Sequence, residues 1–150
     1  MPLQLAILLT LVVVAGCKPT GPPSTHTTST QFPTLASKAA FLHQYVTFRR
    51  TYETLDFDIA YQNNEAGLVP GPSDWDIRLI ATVPAAELAA WIPPGHTHPT
   101  TAPSNFDWLK SIPTDLDPST LNEWYTNGQT TIGLDRQRRI VASRFSTNSP

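Results

Sequence analysis

The first seventeen positions of this 150-residue chain carry no charged side chain, and all ten basic and twelve acidic residues come after them. Within that stretch Leu3 to Val14 is apolar except for Gln4 and Thr10. As a helix the run would rise ~18 Å against the roughly 30 Å of hydrocarbon in a bilayer, so it is too short to span well. Its length instead matches the apolar region of an export signal, with Ala15 and Gly16 as the narrow residues a signal peptidase needs. The rest of the chain is long enough for one domain and not comfortably for two.

Val14-Ala15-Gly16-Cys17 closes the apolar run on the chain's single cysteine. The succession resembles the lipobox of bacterial lipoproteins, and the resemblance is confined to the leader. It implies that residues 1–16 are removed, that the Cys17 thiol takes a diacylglyceryl group, and that the freed amine is acylated, for example by palmitate. Two or more chains then give a lasting anchor. By the sorting pattern of Gram-negative lipoproteins, Lys18 after the cysteine implies the outer membrane, with the body facing the periplasm. The chain departs from the pattern in having no Lys or Arg before the apolar run.

From Lys18 to Ser37 the composition turns to Pro, Thr and Ser, including Gly21-Pro22-Pro23 and Ser24-Thr25-His26-Thr27-Thr28-Ser29-Thr30. With few large apolar side chains to offset ordering entropy, residues 17–37 read as a solvated tether behind the lipidated cysteine. A globular domain over residues 38–146 and a short tail, 147–150, complete the organisation.

Ser37 reads as the N-cap of a helix carrying Ala39, Leu42, Tyr45, Val46 and Arg49 at helical spacing. Leu55, Phe57, Ile59 and Tyr61 then alternate with Asp56, Asp58, Ala60 and Gln62, the pattern of a strand covered on one side. Trp75, Ile77, Leu79, Ala81 and Val83 mark a second strand, and Pro84 to Ile92 a short helix ended by Pro93-Pro94-Gly95. One or two further helical turns are expected within residues 105–112. Asn127-Gly128 signals a hairpin between Glu123–Thr126 and Thr130–Leu134, although Thr120 with Glu123 also fits a helix cap. Residues 139–145 supply a last strand. The expected class is α+β: an antiparallel sheet of four to five strands with two or three short helices packed on one face.

The connection Gln62-Asn63-Asn64 through Pro70-Gly71-Pro72-Ser73-Asp74-Trp75-Asp76 is the most distinctive stretch. Its Asn-Asn, Pro-Gly-Pro and Ser-Asp-Trp-Asp succession, with the C-terminal hairpin, resembles a small family of uncharacterised secreted or lipid-anchored bacterial proteins, a likeness that implies no catalytic activity. Prolines restrict this loop and glycines supply unusual backbone angles, so Pro70, Gly71, Pro72, Asp74 and Trp75 form a candidate binding loop. They equally suit a structural turn.

Chemistry-bearing residues are sparse. Asp56 with Asp58 share one strand face, read as solvated. Asp74 with Asp76 flank Trp75, and His96 with His98 are spaced to place two imidazoles on one metal ion, although a third ligand is not indicated. No Gly-x-Ser-x-Gly elbow or phosphate-binding glycine pattern occurs. Arg136, Arg138, Arg139 and Arg144 read as a solvated hairpin end, and the near-balanced charge excludes a general nucleic-acid binder. Trp75, Trp91, Trp108 and Trp124 are candidates for the core or for a stacking platform. The sequence therefore points away from an enzyme and calls for no cofactor. It favours a membrane-tethered module that binds another envelope protein or peptidoglycan. The alternative is a small envelope hydrolase or metal-binding protein using Asp74 or His96 and His98.

Mass spectrometry of the mature N-terminus is expected to find Cys17 as the first residue, carrying diacylglyceryl and acyl mass. A chain recovered from membranes with Met1 intact and a free thiol contradicts this address.

Overall fold

The computed structural model describes residues 22–64, 71–96, 98–100, 102–103 and 106–147. Cys17 and the rest of the leader lie outside them, as does Pro70. The fold is α+β, built on one antiparallel sheet of six strands. These are β1 Thr25–Thr28, β2 Thr54–Gln62, β3 Asp74–Thr82, β4 Glu123–Asn127, β5 Thr130–Asp135 and β6 Ile140–Ser146. The spatial order β1-β2-β3-β6-β5-β4 makes two three-stranded meanders, joined where β3 pairs with β6.

Strand β1 lies inside the segment that composition marks as tether. Thr25-His26-Thr27-Thr28 has no apolar pattern, but its β-branched threonines suit an edge strand, and they pair along Asp58–Tyr61 of β2. The folded body thus begins at least ten residues earlier than its sequence boundary. The sheet has six strands instead of four or five for the same reason.

Alternation in the inner strands gives the sheet two unlike faces. On the first, Leu55, Phe57 and Ile59 of β2, Ile77, Leu79 and Ala81 of β3, Val141 of β6 and Ile132 and Leu134 of β5 form one core. Full burial of a Leu, Ile or Phe there is worth roughly 1.5–3 kcal/mol apiece. Helix α1, Leu35–Leu42, covers part of this face with Leu42 and the half-buried Phe41. Its N-cap is Thr34, not Ser37: the Thr34 hydroxyl accepts from the Ser37 amide at 3.1 Å, and Ser37 Oγ accepts from the Thr34 amide at 3.2 Å. This reciprocal capping box satisfies two amides that a cap at Ser37 would strand. The helix ends at Leu42, so Tyr45, Val46 and Arg49 leave it and run along the sheet.

Residues Ala85–Trp91 form a 3-10 helix in place of the expected α-helix. Positions three apart eclipse in that geometry, which turns Leu88 and Trp91 into the same core.

The second face is covered too, which overturns the expectation of helices on one side only. Helix α2, Asp107–Lys110, brings Trp108 and Leu109, with Ile112 and Leu121 beyond it, onto Ile80, Trp124, Ile140 and Ala142. The hairpin reading of residues 123–134 holds, with the loop one residue later at Gly128 and Gln129; Gly128 takes φ +56°, the left-handed backbone that a tight hairpin demands.

Gly133 lies directly against the second core. A Cβ there would lie 2.7 Å from the ring of Trp124, its direct cross-strand partner. Gly133→Ala is expected to cost about 2 kcal/mol in urea unfolding, through overpacking. Adding Trp124→Phe should narrow the loss from the glycine change, and an unchanged midpoint for Gly133→Ala would contradict this packing.

Candidate functional site

The first face is only partly covered. Beyond α1 the chain returns as residues 43–50, and residues 90–94 end the 3-10 helix and continue past it; between these two walls a groove of about 800 Å³ opens over the sheet. Its floor is Ile77, Ile132 and Ser143, and aromatic rings rim it: Tyr45, Phe48, Tyr61, Trp75, Trp91 and Phe145. Trp75 and Phe145 stack in parallel with centroids 5.5 Å apart, and Tyr45 meets Tyr61 edge to face at 5.4 Å. The stack joins β3 to β6, because Trp75 sits two residues from Ile77, which pairs with Phe145.

Arg49 and Arg50 supply the charge. The Arg50 guanidinium lies 5.8 Å from the centre of the Trp91 ring and 6.0 Å from that of Phe48, and it donates to the Ala90 carbonyl at 2.5 Å. Arg49 donates to the carbonyls of Val46 and Phe48 at 2.7 and 3.1 Å. No acidic side chain is among the described residues lining the groove. Burial, reinforced by Arg49, pushes the pKa of His43 down. The ring nitrogens of Trp75 and Trp91 and Nε of Arg50 are buried without a hydrogen-bond partner among the described residues.

Of the described residues of the candidate binding loop, Trp75 alone enters this groove. Gly71 and Pro72 are tied to Asn64, whose carbonyl accepts from the Gly71 amide at 3.3 Å and whose side-chain amide donates to the Pro72 carbonyl at 2.9 Å. The same amide reaches Asp74 at 3.2 Å, and Asp74 begins β3 on the opposite face. The described part of the loop is therefore a self-bonded turn.

The aspartates serve the second face. Asp58 is not solvated: it is 6% exposed, with Arg78 at 3.2 Å and the His26 ring at 3.3 Å. Asp56 binds Lys38 at 2.7 Å and accepts from Ser29 at 3.0 Å. Asp76 accepts from Arg78 at 2.6 Å and from two nitrogens of Arg144 at 3.0 Å each. Burial works against ionisation of Asp76, but the hydrogen bonds from Arg78 and Arg144 outweigh it and hold the pKa below the usual carboxylate range. The remaining arginines are also paired: Arg136 with Glu123, Arg138 with Asp135 and Arg139 with Glu53. The basic hairpin end is thus a set of ion pairs, although parts of it remain exposed.

His96 and His98 do not converge. His96 Nε2 lies 3.0 Å from the Thr126 carbonyl, the contact of a ring that donates there, whereas His98 is exposed. Among the described residues no group of three or more His, Cys, Asp or Glu is placed to hold a metal ion. Trp108 and Trp124 belong to the second core, while Trp75 and Trp91 line the groove. Sequence reasoning missed Tyr45, Phe48, Arg49, Arg50, Tyr61 and Phe145 as site residues. The signal available was the stretch Tyr45-Val46-Thr47-Phe48-Arg49-Arg50, which has two adjacent cations and no acidic neighbour.

A depressed folded-state pKa contributes stability that is present above the unfolded value, ~3.9 for Asp, and is lost as pH falls through the lowered folded value. Asp76→Asn is therefore expected to cost about 2 kcal/mol at pH 7, the scale of hydrogen bonds to a charged group. In urea titrations the gap from the unmodified chain should close progressively below about pH 4. Equal stability at pH 7, or a gap that widens in acid, would contradict the assignment.

No protein-family model matches the chain, and no curated protein and no solved structure matches it.

Proposed function

We propose that this chain is a lipid-anchored envelope protein, held at a membrane through Cys17, whose body is a non-enzymatic binding module with the aromatic groove as its ligand site. The observation that carries the binding reading is the groove itself: rings and two arginines that make no ion pair among the described residues, gathered over an otherwise filled sheet face. An apolar concavity with a few convergent polar groups is the usual form of a small-molecule site. The leader motif supports the anchor, and Pro22, five positions after Cys17, lies at the groove's edge. Fully extended, those five residues reach about 17 Å, so an anchored chain carries the groove close to the bilayer surface. The hydrolase or metal alternative gains no support from Asp74, His96 or His98, which are spread over a turn, a carbonyl contact and an exposed loop.

Native mass spectrometry of the chain purified from envelope fractions tests this reading. A bound adduct is expected, reduced at least tenfold in Phe145→Asp, which replaces a ring that is 37% exposed at the groove's edge with a carboxylate. No adduct on either protein, or equal adducts on both, overturns the binding-module reading.

A further inference from the structure

Every described lysine and arginine outside the groove has a carboxylate partner within 4 Å, whereas Arg49 and Arg50 have none among the described residues. The chain as a whole is acidic, with a formal charge of −2, so two unpaired cations beside one apolar groove are a local reversal of its charge balance. Of the four buried groups left over there, three are donors, Nε of Arg50 and the ring N–H of Trp75 and of Trp91, which is only 5% exposed; the fourth is Nε2 of His43. A buried donor without an acceptor is costly, and an oxyanion satisfies donors while neutralising guanidinium charge.

The rest of the groove restricts what carries that oxyanion. Its floor lies on β3, β5 and β6, all interior to the sheet, so their ladder amides and carbonyls already face neighbouring strands. A peptide laid there would find no strand edge to pair with and would bury its own amides unsatisfied. A hydrocarbon chain makes no such demand, and about 800 Å³ lies inside the ~300–1,000 Å³ range of small-molecule sites. From this charge complementarity and this lining we infer that the groove binds a single-chain acyl carboxylate, with the chain over Ile77, Ile132 and the aromatic rim and the carboxylate at Arg49 and Arg50. The inference rests on the binding-module reading and names its ligand class.

The two described cores and all six strands fall within residues 22–147, so a chain of residues 18–150 carries the whole described fold. With that chain, bromine-labelled stearate is titrated against intrinsic tryptophan fluorescence, since bromine quenches a ring it touches and Trp75 and Trp91 line the groove. Bromine-labelled stearyl alcohol, of equal length without the charge, is titrated in parallel, both below their aggregation concentrations. Saturable quenching is expected, with the carboxylate binding at least tenfold tighter than the alcohol. Arg49→Gln with Arg50→Gln should bring the carboxylate down to the alcohol's affinity and leave the alcohol unchanged. Arg49→Lys with Arg50→Lys, which keeps the charge, should retain part of the preference, and near-UV circular dichroism checks that both variants keep native packing. Equal affinity of the two probes, a preference that survives the glutamine changes, or no saturable quenching each overturns the inference. If quenching is absent while an adduct of another class is found on the envelope-purified chain, the acyl assignment alone falls and the binding module stands.

Discussion

The two halves of the sheet meet at a place where like charges face each other. Pairing of β3 with β6 sets Arg78 directly opposite Arg144, an arrangement that is destabilising by itself. Asp76 removes the conflict by accepting from both guanidinium groups, and Asp58 takes Arg78 from the other side. Ser111, just past α2, also accepts from Arg78 at 2.8 Å, so the helix on that face is tied into the same cluster. Asp76 and Asp58 thus bridge the arginines at the join where the two meanders meet.

The reverse side of the same join carries the candidate site. Because successive residues of a strand point to opposite faces, Trp75 and Phe145 emerge on the apolar side of the two strands whose Asp76 and Arg144 make the ionic cluster. One face of the join is therefore closed by charge pairing and the other remains open as an aromatic groove. The groove's cations differ from those of the cluster in a physically useful way. Arg78 and Arg144 are neutralised by their neighbours, whereas Arg50 is held over two rings and Arg49 by backbone carbonyls. Such arginines are pre-positioned to meet an external anion at little cost in side-chain entropy.

Position along the chain connects this site to the proposed anchor. Strand β1 begins only eight positions after Cys17, so the spacer between that cysteine and the sheet is far shorter than the Pro/Thr/Ser-rich composition suggests. With lipid on Cys17, as proposed, the five residues to Pro22 hold the groove's edge within about 17 Å of the anchor.

Local and periodic features could be read from the residues alone. The period-two runs at 55–61 and 75–83, Asn127-Gly128 with its flanking strands, and the short helix over α2 were all legible, because alternation and turn chemistry act between near neighbours. The α+β class comes from them. Which polar residues are paired and which are not was settled by the folded chain. Thr25–Thr28 becomes a strand because β2 offers an unpaired edge, and Asp56 and Asp58 look solvated in sequence but meet Lys38, His26 and Arg78 through contacts of 18 to 32 positions. The groove is equally non-local: its rings come from a coil after α1, three strands and a 3-10 helix, so no single window of sequence contains it. Burial and charge pairing are properties of the assembled sheet, and one-dimensional spacing carries no record of which strands will lie side by side.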